Sequence, residues 1–170
     1  WIYPQSKIDY PTAWHGKVGQ TLRIPVTPEE ESYLDTISLL EECQGTFVKD
    51  WHAALTIKNG YLELRDLPAG DYSLLLPWVG TTMAVRMGAS APTSDALIST
   101  KRALEQPRLA PLQIAAITAD EQNITIKLAA TNPFTRLHIF ATRYLPAFDL
   151  FDSLATPDAV VPAVQTFTPT

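Results

Sequence analysis

The sequence contains very little cysteine and glycine. Cys43 is the single cysteine, and there are seven glycines among 170 residues. A single thiol can form neither an internal disulfide nor a cysteine-rich zinc site, so neither cross-link stabilises the fold. The low glycine content excludes collagen-like and glycine-rich disordered chains. A hydrophobic fraction of 46% instead indicates a chain that folds around an apolar core.

Clusters of positive charge and long apolar runs are also missing. The 13 lysines and arginines are scattered, and the net charge is −5. Because nucleic acids and anionic membrane surfaces are bound by clustered cations, the sequence disfavours both partners. The longest apolar run, Leu74–Val79, contains Pro77 and is much shorter than the roughly 18 residues of a membrane span. We therefore expect no nucleic-acid partner and no membrane insertion.

The sequence has none of the common motifs of enzyme and cofactor sites. It contains no glycine-rich nucleotide loop, no GxSxG segment and no HExxH zinc motif. The histidines, His15, His52 and His138, are isolated from one another. We predict no catalytic, cofactor-binding or metal-binding residues and no enzymatic activity. A catalytic hypothesis would return if folding placed His15 or His52 against a carboxylate in a deep cleft.

Fourteen prolines separate short runs in which apolar and polar residues alternate. This pattern is typical of antiparallel β-strands. The strands predicted in the first half are Thr21–Val26, Thr46–Trp51, Ala54–Lys58, Tyr61–Arg65, Asp71–Leu76 and Thr82–Met87. Pro25 cannot donate a ladder hydrogen bond, so its strand is expected at a sheet edge or a bulge. Asp35–Glu42 fits a strand with Ile37 and Leu39 facing inward, or a helix, which its leucines and glutamates favour.

Two turn signals and one acidic run lie between these strands. Asn59 and Gly60 both tolerate positive φ, and they predict a tight hairpin between the strands on either side. Pro68 and Gly70 predict a second turn, which makes Tyr61–Leu76 a hairpin as well. The acidic run Glu29–Glu31 is interpreted as a solvated loop, because its oxygens lack the spacing of a calcium site.

The stretch Gly60–Leu76, GYLELRDLPAGDYSLLL, resembles the last hairpin of transthyretin-like and carboxypeptidase-regulatory-like β-sandwiches. Leu67, Pro68, Gly70 and Tyr72 carry the resemblance, which is confined to this stretch. It implies an accessory or structural module of a large secreted or surface protein of bacteria. It brings no catalytic residues with it.

The composition divides the chain into four parts. Residues 1–87 are predicted to form a β-sandwich module, and residues 88–111 a linker or crossover. Residues 112–145 read as a second, smaller β unit, and residues 146–170 as one short helix, at Ala147–Leu154, and a proline-rich tail. The predicted fold class is therefore all-β, an antiparallel β-sandwich with this second unit and one short helix near the C-terminus.

The second unit contains three predicted strands. Leu112–Thr118 and Asn123–Ala129 predict a hairpin, and Arg136–Thr142 predicts a returning strand. Ile124, Ile126 and Leu128 are expected on the buried face. Three strands are too few for an independent sandwich, so this unit would borrow strands from the first unit or from parent sequence. Whether it folds without parent strands is open.

Tryptophan and tyrosine are concentrated in the first half of the chain. Exposed aromatic rings on β-sandwiches can stack against sugars, which makes Trp78, Trp51 and Trp14 a candidate ligand platform. Trp78 is the best placed of the three, because it lies beside Pro77 and Gly80 at a strand end. Core and interface packing is the alternative that the sequence favours, since large aromatic residues dominate such contacts.

The sequence thus predicts a non-catalytic structural or protein-contact module of a larger protein. The start at Trp1 and the tail Thr156–Thr170, which has no stop signal for a fold, favour excision from a longer chain. The location is expected to be extracytoplasmic: secreted, periplasmic or cell surface. The alternative function is a carbohydrate-binding accessory module. The expected partners are other domains of the parent chain, a protein or a polysaccharide, and no cofactor is expected.

Overall fold

The structure is a computed structural model that describes residues 10–26, 30–89, 92–93, 96–98, 102–106, 112–139 and 162–166. Within these residues the protein is all-β, with fourteen strands in four sheets and two short 3-10 helices. This confirms the predicted all-β class. The predicted helix Ala147–Leu154 lies outside the described residues.

The first eight strands form two sheets. They are β1 (Ala13–Lys17), β2 (Leu22–Pro25), β3 (Ser38–Cys43), β4 (Thr46–Asp50), β5 (Leu55–Lys58), β6 (Tyr61–Leu64), β7 (Gly70–Leu76) and β8 (Thr81–Gly88). One sheet has five strands in the order β1-β8-β7-β3-β4, and the other has three in the order β2-β6-β5. All neighbours are antiparallel except β1 and β8. The 3-10 helices are η1 (Glu30–Thr36) and η2 (His52–Ala54).

Both sheets contribute side chains to one apolar core. Alternate residues of β2, β7 and β8 are buried, as expected from the period of two along a strand. The main contributors are Leu22, Ile24, Leu39, Leu62, Leu64, Tyr72, Leu74, Leu76, Met83, Val85 and Met87. The alternation that predicts the strands Thr21–Val26, Asp71–Leu76 and Thr82–Met87 therefore places the apolar residues of β2, β7 and β8 in this core. Each large apolar side chain removed from water contributes about 1.5–3 kcal/mol, so this cluster dominates the stability of the fold.

Local signals predicted several boundaries correctly. Asn59 and Gly60 have φ values of 53° and 76° and join β5 to β6 in the expected hairpin. Pro25 ends β2, which lies at the edge of the three-stranded sheet. The ambiguous segment 35–42 is a strand from Ser38 onward, while Asp35 belongs to η1. Leu39 is buried in the core, which is why packing favours the strand there.

The predicted hairpin Tyr61–Leu76 is wrong. β6 pairs with β2 and β5, whereas β7 pairs with β3 and β8, so residues 65–69 cross from one sheet to the other. Leu67 in this crossing segment is buried in the core. The hydroxyl of Tyr72 donates a hydrogen bond of 2.9 Å to the carbonyl oxygen of Pro68, which holds the crossing segment against β7.

The remaining strands form two smaller sheets. They are β9 (Pro92–Thr93), β10 (Ala96–Ile98), β11 (Arg102–Glu105), β12 (Gln113–Ala119), β13 (Ile124–Ala129) and β14 (Val164–Thr166). The first sheet has the order β14-β11-β10-β9, and the second consists of β12 and β13. Strands β9, β10 and β11 lie within residues 88–111, the segment that the sequence predicts to be a linker or crossover.

The β12–β13 hairpin forms as predicted, but its apolar face is not buried. The carboxylate of Asp120 accepts hydrogen bonds from the backbone N–H groups of Gln122 and Asn123, which stabilises the turn. Ile124 is 38% exposed, and Ile126 and Leu128 are only half-buried. The expected burial of this face is therefore wrong within the described residues.

The returning strand predicted at Arg136–Thr142 is also wrong over its described part, because residues 136–139 form no strand. The β12–β13 sheet consequently has two strands among the described residues, and no third strand packs at its edge.

Candidate functional site

The tryptophans proposed as a ligand platform lie in separate parts of the fold. Trp14 is on β1, at one edge of the five-stranded sheet, and Trp51 follows β4 at the opposite edge. Four strand spacings of about 4.8 Å place these two edges roughly 19 Å apart. Trp78 lies in the turn between β7 and β8. All three are half-buried and pack against the apolar core.

Trp78 belongs to a buried polar network. Its Nε1–H donates a hydrogen bond of 2.9 Å to Glu30 Oε1, and its ring stacks on Tyr33 with centroids 5.4 Å apart. The hydroxyl of Tyr10 donates to the other oxygen of Glu30, also at 2.9 Å. Glu30 is only 8% exposed, so the interpretation of Glu29–Glu31 as a solvated loop is wrong at this residue. Burial, followed by the hydrogen bond to Glu30, raises the pKa of Tyr10.

Trp51 is held on three sides. Its Nε1–H donates a hydrogen bond of 2.8 Å to Glu41 Oε2. The ammonium nitrogen of Lys49 lies 3.6 Å from the centroid of the indole ring, and Tyr72 meets the ring edge-on at 6.2 Å. These contacts fix the orientation of the ring, and the indole also forms one wall of an open cleft of about 300 Å³.

The imidazole rings of His15 and His52 contact backbone carbonyl groups rather than carboxylates. His15 is fully buried, and its Nδ1 lies 2.8 Å from the carbonyl oxygen of Glu105. Nδ1 of His52 lies 3.0 Å from the carbonyl oxygen of Ile37. Because a carbonyl oxygen only accepts hydrogen bonds, Nδ1 carries the proton in both rings. The catalytic hypothesis required His15 or His52 to lie against a carboxylate in a deep cleft. The hydrogen bonds of both rings go to backbone carbonyl groups instead.

A row of charged side chains crosses the outer face of the five-stranded sheet. Strand register aligns Glu42, Asp71, Arg86 and His15 on β3, β7, β8 and β1. Arg102 on β11 adds to this row, since its Nη1 donates to Asp71 Oδ2 at 2.8 Å. Its Nη2 lies 2.7 Å from Oδ1 as a charge contact without hydrogen-bond alignment. Sequence reasoning missed this row because three strand registers are needed to assemble it.

Burial and the neighbouring arginines both lower the pKa of His15. Burial is the main cause that lowers the pKa of His15, and the positive charges of Arg86 and Arg102 lower it further. The hydrogen bond to the Glu105 carbonyl group and the Glu105 charge act in the opposite direction. Nε2 of His15 is buried and has no hydrogen-bond partner among the described residues. The neutral ring therefore connects β1 to β11 through its Nδ1–H alone.

A second buried charge lies on the outer face of the three-stranded sheet. Glu63 on β6 accepts hydrogen bonds of 3.0 Å from Nε of Arg23 and from Nε of Arg65. The hydrogen bonding to Arg65, together with that to Arg23, lowers the pKa of Glu63 although burial opposes it. The arrangement ties β2 to the end of β6 and leaves Glu63 charged.

No protein-family model and no curated protein matches this sequence. None of the helices in the described ranges is long and apolar enough to cross a membrane. Across the same ranges, histidine, cysteine and carboxylate side chains form no group of three or more that could hold a metal ion.

Proposed function

We propose that the chain is a non-catalytic structural or protein-contact module with a β-sandwich fold, within a larger secreted, periplasmic or cell-surface protein. The observation that carries the proposal is how the buried polar side chains are used. His15 binds β11, Glu30 holds two aromatic rings, and Glu63 bridges two arginines. Each of these groups stabilises the fold by connecting one element to another.

The shared core supports the sandwich architecture. Sheets that pack face to face bury their apolar side chains in one common core. The two larger sheets both contribute to a single apolar cluster, as this packing requires. The sequence of Gly60–Leu76 resembles that of accessory β-sandwich modules, although the stretch crosses between the sheets here and does not close a hairpin. This resemblance in sequence is the ground for proposing the same role and the extracytoplasmic location. The shared core and the resemblance both concern architecture, and neither identifies a substrate.

The β12–β13 hairpin supports a protein-contact role. Strand register places five large aliphatic side chains on one of its faces: Ile114, Ile117, Ile124, Ile126 and Leu128. A two-stranded hairpin is marginally stable in water by itself, and exposed apolar surface marks contact sites. Gln113 anchors the hairpin to the three-stranded sheet, because its side-chain amide donates to the carbonyl oxygens of Val26, after β2, and Gly60, in the β5–β6 turn, at 2.6 Å and 3.0 Å.

Hydrogen exchange tests the contact role by comparing the isolated chain with the larger protein in which we propose it resides. We expect the amide groups of β13 to exchange more slowly in the larger protein, because another domain covers the apolar face. Ile126→Glu should remove that protection. Thr125→Glu places the same charge on the opposite face and should leave the protection intact. Equal exchange in the isolated chain and the larger protein would contradict the contact role.

A further inference from the structure

An open cleft lies where η2, the start of β5 and the end of β6 meet. Its volume is about 300 Å³. Trp51, Ala53 and Ala54 form the apolar part of its lining. Thr56, Arg65 and Asp66 form the polar part. The cleft thus combines one aromatic ring with a hydroxyl, a guanidinium and a carboxylate.

The aromatic wall of the cleft is fixed before any ligand arrives. Glu41, Lys49 and Tyr72 hold the indole of Trp51, as described above. A ring that is already immobilised loses little side-chain entropy on binding, which favours its use as a contact surface. Because Trp51 is only half-buried, part of the indole stays accessible.

The polar wall of the cleft contains Arg65, whose guanidinium is paired with Glu63, and the exposed carboxylate of Asp66. The Nε–H group of Arg65 donates to Glu63, which fixes the direction of the guanidinium. Asp66 is exposed, and it makes no hydrogen bond or ion pair with any residue that the structure describes. Its backbone has a φ of 53°, in the left-handed region that Asp tolerates better than most residues.

We propose that this cleft binds a neutral oligosaccharide. The C–H face of a sugar ring packs against an indole, and carboxylate and guanidinium groups bind adjacent hydroxyls as acceptor and donor. Arg65 and Asp66 carry opposite charges, so their sum does not favour a charged ligand. Small-molecule sites typically enclose about 300–1,000 Å³, so the cleft accommodates a short part of a chain rather than a large ligand.

Isothermal titration calorimetry tests the proposal with three neutral probes: cellohexaose, mannohexaose and chitohexaose. We expect at least one of them to bind the intact chain. Asp66→Asn should weaken that binding about tenfold, because the charge-assisted hydrogen bonds are lost. Asn also tolerates the left-handed backbone, so this variant should keep the fold.

Two further variants separate the cleft from other aromatic residues. Trp51→Phe should weaken binding, since it shrinks the ring that forms the wall. Trp14→Phe makes the same change at the opposite edge of the five-stranded sheet and should leave the affinity unchanged. If Trp51→Phe does not fold, as judged by circular dichroism, Asp66→Asn alone decides the outcome.

Two results would overturn the proposal. One is the absence of heat of binding for all three hexasaccharides at concentrations up to about 1 mM. The other is a probe whose affinity is the same for the parent chain and for Asp66→Asn, which would place the binding elsewhere on the surface.

Discussion

Buried polar side chains link separate elements of this protein through hydrogen bonds, and each has a different partner. Glu63 remains charged because two arginines donate to it, while His15 remains neutral because burial and two nearby arginines oppose its protonation. The same physical rule governs both residues: a buried ionisable group adopts the charge state that its neighbours stabilise.

The lowered pKa of His15 makes the stability of the fold dependent on pH. The unfolded chain binds a proton near the ordinary value of 6.5, whereas the folded ring resists protonation to lower pH. The unfolded state therefore binds more protons below this value, and stability falls as the pH falls. The charged groups that influence the ring are Arg86 on β8 and Arg102 and Glu105 on β11.

We expect the free energy of unfolding to decline between pH 7 and pH 5 by up to about 1.4 kcal/mol per pH unit from this residue. His15→Gln removes the titrating group, so its urea-unfolding free energy should depend less on pH than that of the parent chain. His138→Gln, at an exposed position, should keep the parent dependence. An unchanged pH dependence in His15→Gln would show that other groups control it.

At the scale of elements, the sequence predicts where the chain turns, but it does not predict which sheet the next strand joins. The Asn59-Gly60 turn joins neighbouring strands because both residues adopt positive φ, which is a property of the turn itself. Pro68 and Gly70 also redirect the chain, yet there the chain crosses to the other sheet. Whether a turn closes a hairpin or a crossing depends on which sheet buries the next apolar face.

Two glycines with the same φ differ in their surroundings, so substituting each of them distinguishes the cost of backbone strain from the cost of a tertiary clash. Gly60 and Gly45 both have a φ of 76°. A Cβ atom at Gly60 would lie 2.9 Å from the side-chain nitrogen of Gln113, whereas one at Gly45 would meet no atom within 4 Å.

We expect Gly45→Ala to cost about 1 kcal/mol of unfolding free energy, the penalty for a side chain at positive φ. Gly60→Ala should cost more, because Gln113 must also move and loosen the β12–β13 hairpin. Denaturant unfolding of both variants measures the difference. Equal losses would mean that Gln113 does not anchor the hairpin.

For the molecule as a whole, the shared core makes the two larger sheets depend on each other. Leu62 belongs to the three-stranded sheet and Leu74 to the five-stranded sheet, and both are fully buried in the same cluster. Neither sheet can keep its apolar face dry without the other, so the two should unfold together.

Leu62→Ala and Leu74→Ala should each lower the free energy of unfolding by about 2–5 kcal/mol. Val48→Ala, at an exposed position on β4, should change it by less than about 0.5 kcal/mol. Tryptophan fluorescence and far-UV circular dichroism should report one coincident transition for both core variants. Separate transitions would show that the sheets fold independently and would remove the main support for the sandwich.

The candidate site shows the same division between local and tertiary information. Trp51 was recognisable from the sequence as a candidate platform, because tryptophan beside short strands is a familiar sugar contact. Arg65 and Asp66 were not, since they reach Trp51 only through the crossing segment between the sheets. The burial of Glu30 was equally hidden, because its aromatic partners Tyr10 and Trp78 lie far from it in sequence.

The sequence by itself determined the all-β class, the existence of strands β7 and β8, and the Asn59-Gly60 hairpin. These features depend on residues within a few positions of one another, so pattern and turn propensity suffice. Only the tertiary structure decided that residues 65–69 cross between sheets, and that the apolar face of β12–β13 stays half-exposed. Those outcomes depend on which distant strands come together to bury apolar surface, and no local pattern encodes that choice.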